Sequence, residues 1–408
     1  MRLKKLRPLA LALPLSLGMA SLAMANAPVG VTAPMAIVID YHTGEVLYER
    51  DAHRRAIPAS ITKNVAAFVV FEAIEDGRLS LDTRIPVSQH AANVSRNHGG
   101  LQGSTVIFNA GETVTVEHLL QWMMLPSANA ASVIFGEYLY GSDSAMVERM
   151  NEALYTRGLY SSFTNSHGAA PHHTDVYSMG RLVHEFVERF PEVLRITAMQ
   201  RPAVNREGGQ FSTNRLITNV AGQGMAGVDG FKTGNIRQSG WGHTVTATRD
   251  GHRVIVALMG TTSLNNSMYD AQRLVNFGFG EINRLSTERA QRVNHVRLAG
   301  EVVELPADQP AMIYRGQLML PLAWLGSYVS NHGNVQLTSP HASVNVHMGR
   351  TTASANGQTI YFDLALLPAN GTIYASLDFF AQALDSLVSW NPDAGVVIFT
   401  PMPSVNGE

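Results

Sequence analysis

Residues 58–77 read Pro58-Ala59-Ser60-Ile61-Thr62-Lys63-Asn64-Val65-Ala66-Ala67-Phe68-Val69-Val70-Phe71-Glu72-Ala73-Ile74-Glu75-Asp76-Gly77. The stretch from Ile61 to Ile74 predicts one apolar helix, closed by Asp76-Gly77. Ser60 and Lys63 stand three positions apart, which on a helix is one turn apart on one face. Ser60 is then expected in the first turn, where free N–H groups and the helix dipole favour negative charge. The Lys63 amine would point at the Ser60 hydroxyl. With its pKa lowered by burial and a nearby cation, a neutral Lys63 can take the serine proton.

Lysine is scarce in this chain, which strengthens that reading. The only lysines are Lys4, Lys5, Lys63 and Lys232, and other positive charge is carried by arginine. Arginine cannot give up its proton at accessible pH, whereas a buried lysine can. A lysine kept in such a chain points to a need for a titratable amine or a compact point charge.

Outward from the helix, short strand-like runs alternate with helical ones from Pro34 to about Asn283. Met35–Asp40 and Val46–Glu49 read as a hairpin around Tyr41-His42-Thr43-Gly44-Glu45. Val116–Met124 and Ser132–Tyr140 read as helices. Val245–Thr248 and Arg253–Met259 flank Asp250-Gly251, a hairpin signal, and Tyr269–Phe277 reads as a closing helix. Strands at both ends with helices between them predict an α+β layer architecture over residues 34–283, an antiparallel sheet flanked by helices with a helical subdomain. Past Ser286 short strands dominate, and residues 293–408 read as a small β-rich domain. It holds a two-copy repeat in which Gly316–Leu325 lines up with Gly371–Phe380, followed by Val335-Gln336-Leu337 and Val396-Val397-Ile398-Phe399.

Of the 408 residues, 45% are hydrophobic and 15% charged, with a net charge of −2. Nothing in that balance draws the chain to nucleic acid or an anionic membrane surface. The absence of cysteine excludes disulfides, a thiol nucleophile and a thiolate metal site. Arg2, Lys4, Lys5 and Arg7, the apolar run Leu9–Met24 and the small residues around Ala23-Met24-Ala25 read as a secretory signal over residues 1–25. No later stretch is long and apolar enough to span a bilayer. An exported protein, periplasmic or extracellular, is therefore expected.

Two further motifs carry chemistry. Gly230-Phe231-Lys232-Thr233-Gly234 precedes strand-like sequence. Its ammonium and hydroxyl can hold an anionic chain end, and its glycine lets a ligand backbone approach. Pro126-Ser127-Ala128-Asn129 places a hydroxyl and a carboxamide where both can reach one cleft from a turn. It also reads as a plain capping motif. His172-His173 lacks a partner at metal spacing and reads as loop polarity, so no metal and no cofactor are expected.

Taken in order, Ser-x-x-Lys, Ser-x-Asn and Lys-Thr-Gly resemble the penicillin-binding, β-lactamase-like serine enzymes, and most closely the low-molecular-weight D-alanyl-D-alanine carboxypeptidases. Pro-Ala-Ser-Ile-Thr-Lys (58–63), Gly111-Glu112-Thr113-Val114-Thr115-Val116, Ser127–Ala131 and Val228–Gly234 carry the resemblance. It implies that Ser60 is the nucleophile and Lys63 the general base. Ser127 would relay a proton to the leaving D-alanine, and Asn129 would hold the peptide. Lys232, Thr233 and Gly234 would take the terminal carboxylate end, and backbone N–H groups of Ser60 and Asn235 would form the oxyanion hole. The substrate implied is a peptidoglycan stem peptide ending in D-Ala-D-Ala, and β-lactams would acylate the same serine.

The chain departs from that family at Ala130 and Ser178, where aspartate is usual. It also departs over Thr261–Met268, which lacks the arginine that usually follows Met-Gly. These departures leave room for a DD-endopeptidase acting on cross-links. A serine β-lactamase and a catalytically inactive wall-binding protein are the remaining alternatives. Residues 293–408 resemble the duplicated module named after the N-terminal domain of copper amine oxidases, without a copper site, and are expected to serve as a spacer or a wall-binding module.

Overall fold

A computed structural model describes residues 28–96, 106–208, 211–291, 293, 295–306, 308–314, 317–331, 334–369, 372–391 and 395–402. The expected leader over residues 1–25 lies outside the described residues.

The first unit is built on a five-stranded antiparallel sheet. Its strands are β1 (Met35–Asp40), β2 (Val46–Arg50), β3 (Val228–Ile236), β4 (Gly240–Arg249) and β5 (His252–Thr261), in the order β2-β1-β5-β4-β3. Strands from the two ends of the unit meet at its centre, where Ala36 pairs with Leu258 and Val38 with Val256. Both faces of this sheet are covered, which explains why β1 and β5 read as continuous apolar runs. Ile37, Ile39, Ile255 and Ala257 pack into the core on one side, and Ala36, Val38, Val254 and Val256 into the core on the other.

On the first side lies α1 (Lys63–Glu75), buried from Lys63 to Ala73, so that the whole circumference of the helix meets protein. Around it pack α2 (Val116–Met124), α3 (Asn129–Tyr140), α4 (Asp143–Tyr155) and α5 (Val176–Arg189). The buried acidic group of α1, Glu72, is held by Arg149 at 2.6 Å, Arg157 at 3.0 Å and Arg189 at 3.1 Å. The other face of the sheet is covered by α6 (Leu264–Gln291). The sequence predicts only Tyr269–Phe277 of this helix. Its real span runs past residue 283 and includes the point near Ser286 where the texture of the sequence changes.

Beyond α6 the described residues are mostly short strands, as the sequence predicts. The two repeat copies correspond to Gln317–Pro321 with a 3-10 turn, and to Thr372–Ser376 with the helix Leu377–Ala383. The two strands pair with each other, Leu320 opposite Ala375, so the duplication forms one joint core. Gly316 and Gly371, which open the copies, lie outside the described residues. A five-stranded meander spans Ser327–Tyr361. It buries Val335, Leu337, Val344 and Val346, and exposes a cross-strand row of Gln336, Asn345, Ser354 and Thr359.

Candidate active site

Ser60 sits in a 3-10 turn, Ala59–Thr62, which precedes α1; the sequence predicts it inside the first α-helical turn. The reason is local. Ala59 adopts a left-handed conformation with φ 48°, Ile61 N–H donates to Pro58 O at 3.1 Å, and the Thr62 hydroxyl donates to Ala59 O at 2.7 Å. Those bonds tighten the chain ahead of the helix. Lys63 is then the first residue of α1, and its amine still reaches back one turn.

The Lys63 ammonium is fully enclosed. It lies 3.0 Å from Ser60 Oγ, 2.8 Å from Asn129 Oδ1 and 2.6 Å from the carbonyl of His167. Burial, and then the positive charge of Lys232, hold its pKa well below the ordinary lysine value. Among the described residues no carboxylate contacts it to oppose that shift. A lysine in this setting gives up its proton readily and has the Ser60 oxygen in hydrogen-bond range.

Ser127 and Asn129 arrive from the turn between α2 and α3. Asn129 is the first residue of α3, which the sequence predicts three residues later, at Ser132. Ser127 is held at φ 70°, a left-handed backbone that a serine adopts only under constraint, and its buried Oγ has no hydrogen-bond partner among the described residues. Two left-handed non-glycine residues, Ala59 and Ser127, thus flank the same cleft. Ala130, at the position where an aspartate is usual, is buried among apolar side chains.

Lys232, Thr233 and Gly234 lie within the edge strand β3, whereas the sequence places them just before a strand. The Lys232 amine is buried and donates to Thr233 O at 3.1 Å; burial pulls its pKa down to about 7. Gly234 faces the Ser60 turn so closely that a Cβ there would stand 2.4 Å from Pro58 O and 3.0 Å from Ile61 N. Only glycine lets the two backbones meet, and this contact brings the strand residues Gly234 and Asn235 alongside Ser60. Asn235 pairs with Trp241 across the sheet, and its side chain donates to Gly240 O at 2.9 Å.

The structure adds residues that the sequence reading does not single out. The loop 163–174 closes the floor beneath Lys63. Its His167 carbonyl accepts the lysine. Gly168, at φ 78°, lies flat on Ala59. His172 is buried: its Nε2 lies 2.7 Å from Thr62 Oγ1, and Thr164 N–H approaches its Nδ1 at 3.3 Å. It therefore braces the turn that carries Ser60, which corrects its reading as loop polarity. His173 instead faces Arg55 at 3.1 Å. His167 is held at about 3, by burial and then by Lys63. His172 is held at about 4, by burial, then His173 and Lys63. On β3, Thr233 Oγ1 lies 2.5 Å from Thr213 Oγ1. No motif marks Thr213 in advance; its place depends on the fold.

Comparison with known proteins follows the same division of the chain. Residues 22–263, well over half of the chain, match the family model described as D-alanyl-D-alanine carboxypeptidase. Residues 297–399 match the copper amine oxidase N-terminal domain. The D-alanyl-D-alanine carboxypeptidase DacF of Bacillus subtilis is 27% identical over 292 residues, 69% of this chain and 72% of the relative. The carboxypeptidase DacD of Escherichia coli is 26% identical over 246 residues, 59% of this chain; the chain spans only 62% of that relative's length. Penicillin-binding protein D2 of Listeria monocytogenes, solved with bound ampicillin, superimposes with a TM-score of 0.50 at 26% identity. That match covers 60% of this chain and 97% of the Listeria chain.

Proposed function

Because the chain belongs to the D-alanyl-D-alanine carboxypeptidase family, we propose that it trims peptidoglycan stem peptides ending in D-Ala-D-Ala through an acyl-enzyme on Ser60. The observation that carries this reading is the Lys63 amine, buried, depressed in pKa and 3.0 Å from Ser60 Oγ. In the proposed course Lys63 accepts the Ser60 proton as Oγ attacks the carbonyl of the penultimate D-alanine. The oxyanion forms against the N–H groups of Ser60 and Asn235. Collapse breaks the peptide bond as Lys63 returns its proton through Ser127 to the departing amine and becomes neutral again. Water then attacks the ester as Lys63 again takes a proton, which it returns to Ser60 Oγ as the acid departs. Asn129 holds the peptide beside Lys63, and Lys232 with Thr233 holds the terminal carboxylate.

β-Lactams are expected to acylate Ser60, as the bound ampicillin of the Listeria relative supports. Labelled penicillin marks the wild-type protein and leaves Ser60→Ala unmarked; no label on the wild type ends the acyl-enzyme reading. Lys63→Arg keeps the charge but cannot release a proton, so it loses acylation. Muropeptide digestion tests the substrate: pentapeptides disappear if the reading holds.

A second reading, DD-endopeptidase action on cross-linked dimers, is favoured by the lack of arginine over Thr261–Met268. It predicts loss of dimers in the same digest. We further propose that the protein is exported and that its C-terminal module contacts the cell wall. The uncharged row Gln336, Asn345, Ser354 and Thr359 suits the hydroxyl and amide groups of glycan strands. The intact chain then co-sediments with purified sacculi, and Gln336→Glu with Asn345→Glu weakens it. Equal sedimentation of both would leave the module as a spacer.

A further inference from the structure

Thr213 joins the two walls of the cleft. Its N–H donates to Leu125 O at 3.0 Å, two residues before Ser127, and its hydroxyl lies 3.3 Å from that same carbonyl. The hydroxyl also lies 2.5 Å from the hydroxyl of Thr233. Thr213 is exposed, whereas Thr233 is buried.

The two hydroxyls have two protons between them, and this limits what they can do. If Thr213 donates to Leu125 O, Thr233 must donate to Thr213, and no proton remains for a ligand. If Thr213 donates to Thr233, the Thr233 proton is free to meet an anion. The second arrangement gives up only the 3.3 Å bond, because the Leu125 carbonyl keeps the Thr213 N–H at 3.0 Å. A chain of hydroxyls that ends on a carboxylate is also the stronger one, since each donor polarises the next.

We propose that Thr213 is a positioning residue for carboxylate recognition: it donates to Thr233 and thereby turns the Thr233 hydroxyl toward the anionic end of the bound chain. This rests on the carboxypeptidase reading above, and it deepens that reading by naming how Thr233, beside Lys232, is aimed at a carboxylate. No covalent step is involved.

Thr213→Val tests it, because valine keeps the shape and the N–H bond to Leu125 while removing the hydroxyl. For a peptide ending in D-Ala-D-Ala with a free carboxylate, KM rises about three- to tenfold while kcat stays within about twofold. For the same peptide with an amidated C-terminus, KM does not move. Thr213→Ser restores the wild-type KM. The same comparison is made on acylation rates with penicillin and its methyl ester, so that the result does not depend on peptide hydrolysis. A wild type acylated by penicillin that cleaves neither peptide would remove the carboxypeptidase reading; the acylation ratio would still decide the role of Thr213. An unchanged KM and acylation rate for the free acids in Thr213→Val would overturn the proposal. So would equal losses for acid and neutral ligands.

Discussion

Gly168 lies so close to Ala59 that a β-carbon on it would stand 1.9 Å from the Ala59 carbonyl oxygen and 3.0 Å from Ser60 N. The loop that supplies the His167 carbonyl to Lys63 is thus seated directly on the turn that carries Ser60. Gly168→Ala must push the loop, the turn or both. It also places a side chain at φ 78°, which costs about 1 kcal/mol before any clash. We expect penicillin acylation to slow by about ten- to a hundredfold, since misplacement of reacting groups by about 1 Å costs that much. Stopped-flow acylation with labelled penicillin checks it. A wild-type rate in Gly168→Ala would mean that the loop does not position Ser60.

His243 is fully buried on β4, opposite Thr233, and neither ring nitrogen has a hydrogen-bond partner among the described residues. Burial, and then Lys232, hold its pKa at about 3, and His167 and His172 are depressed too. An unfolded chain takes up these protons near pH 6.5, whereas the folded chain refuses them down to about pH 4 to 3. The stability they contribute is therefore complete above pH 6.5 and is lost as pH falls from there through the folded pKa values. His243→Leu removes one such group and one unpaired buried polar ring. Its melting temperature should exceed the wild type's at pH 7, by about 1 kcal/mol of stability, and fall less steeply on acidification. Parallel melting curves in the two proteins between pH 7 and pH 4 would refute this.

How much of this was readable in advance depends on what each segment packs against. Met35–Ile39 and Val254–Met259 are legible as strands because both faces of the central sheet are covered, which demands unbroken apolar runs. The edge strand β3 is hidden by its own composition. Its two glycines and its lysine break the apolar pattern of a strand, so the segment reads as preceding one, yet Gly234 is what allows contact with Pro58 and Ile61. Much of α6 is hidden by weak helix formers. Its start, Leu264-Asn265-Asn266-Ser267, and Gly278 both lower the intrinsic preference for helix. Packing overrides them: a Cβ at Gly278 would stand 2.8 Å from Val38 Cγ1, so the glycine seats the helix on the sheet. Ser60, Lys63, Ser127, Asn129, Lys232 and Thr233 are legible as short motifs. The His167 carbonyl and Thr213 are not, because any residue can supply a carbonyl and a lone threonine carries no spacing signal.

Glu72 gathers three arginines at the centre of the helical layer, and it is nearly buried while they are partly exposed. Glu72→Gln removes the anion the three share and leaves Arg149 to Glu152, Arg157 to Glu185, and Arg189 to Glu75 and Glu185. Solvent screens the exposed arginines, so the loss falls below that of a fully buried pair, at about 2 to 3 kcal/mol. Urea unfolding at low and at high salt measures it. The difference from wild type should shrink as salt rises, and a loss below about 0.5 kcal/mol would place the stability of α1 in its apolar contacts alone.

Lys63 and Lys232 set the pH range of the proposed reaction together. Lys63 acts only when neutral, so activity falls on the acid side as it gains a proton. Burial is the main cause of its depressed pKa, and the positive charge of Lys232 adds to it. Lys232→Met removes that charge, the protonated form of Lys63 becomes easier to reach, and the acid limb of the pH profile moves to higher pH. The limb stays below the ordinary lysine range because the burial of Lys63 is unchanged. The readout is the rate of acylation by a neutral penicillin ester between pH 5 and pH 10, which separates this effect from lost carboxylate binding. An acid limb that stays in place, or moves to lower pH, would show that Lys63 does not feel Lys232 and that its pKa is governed by enclosure alone.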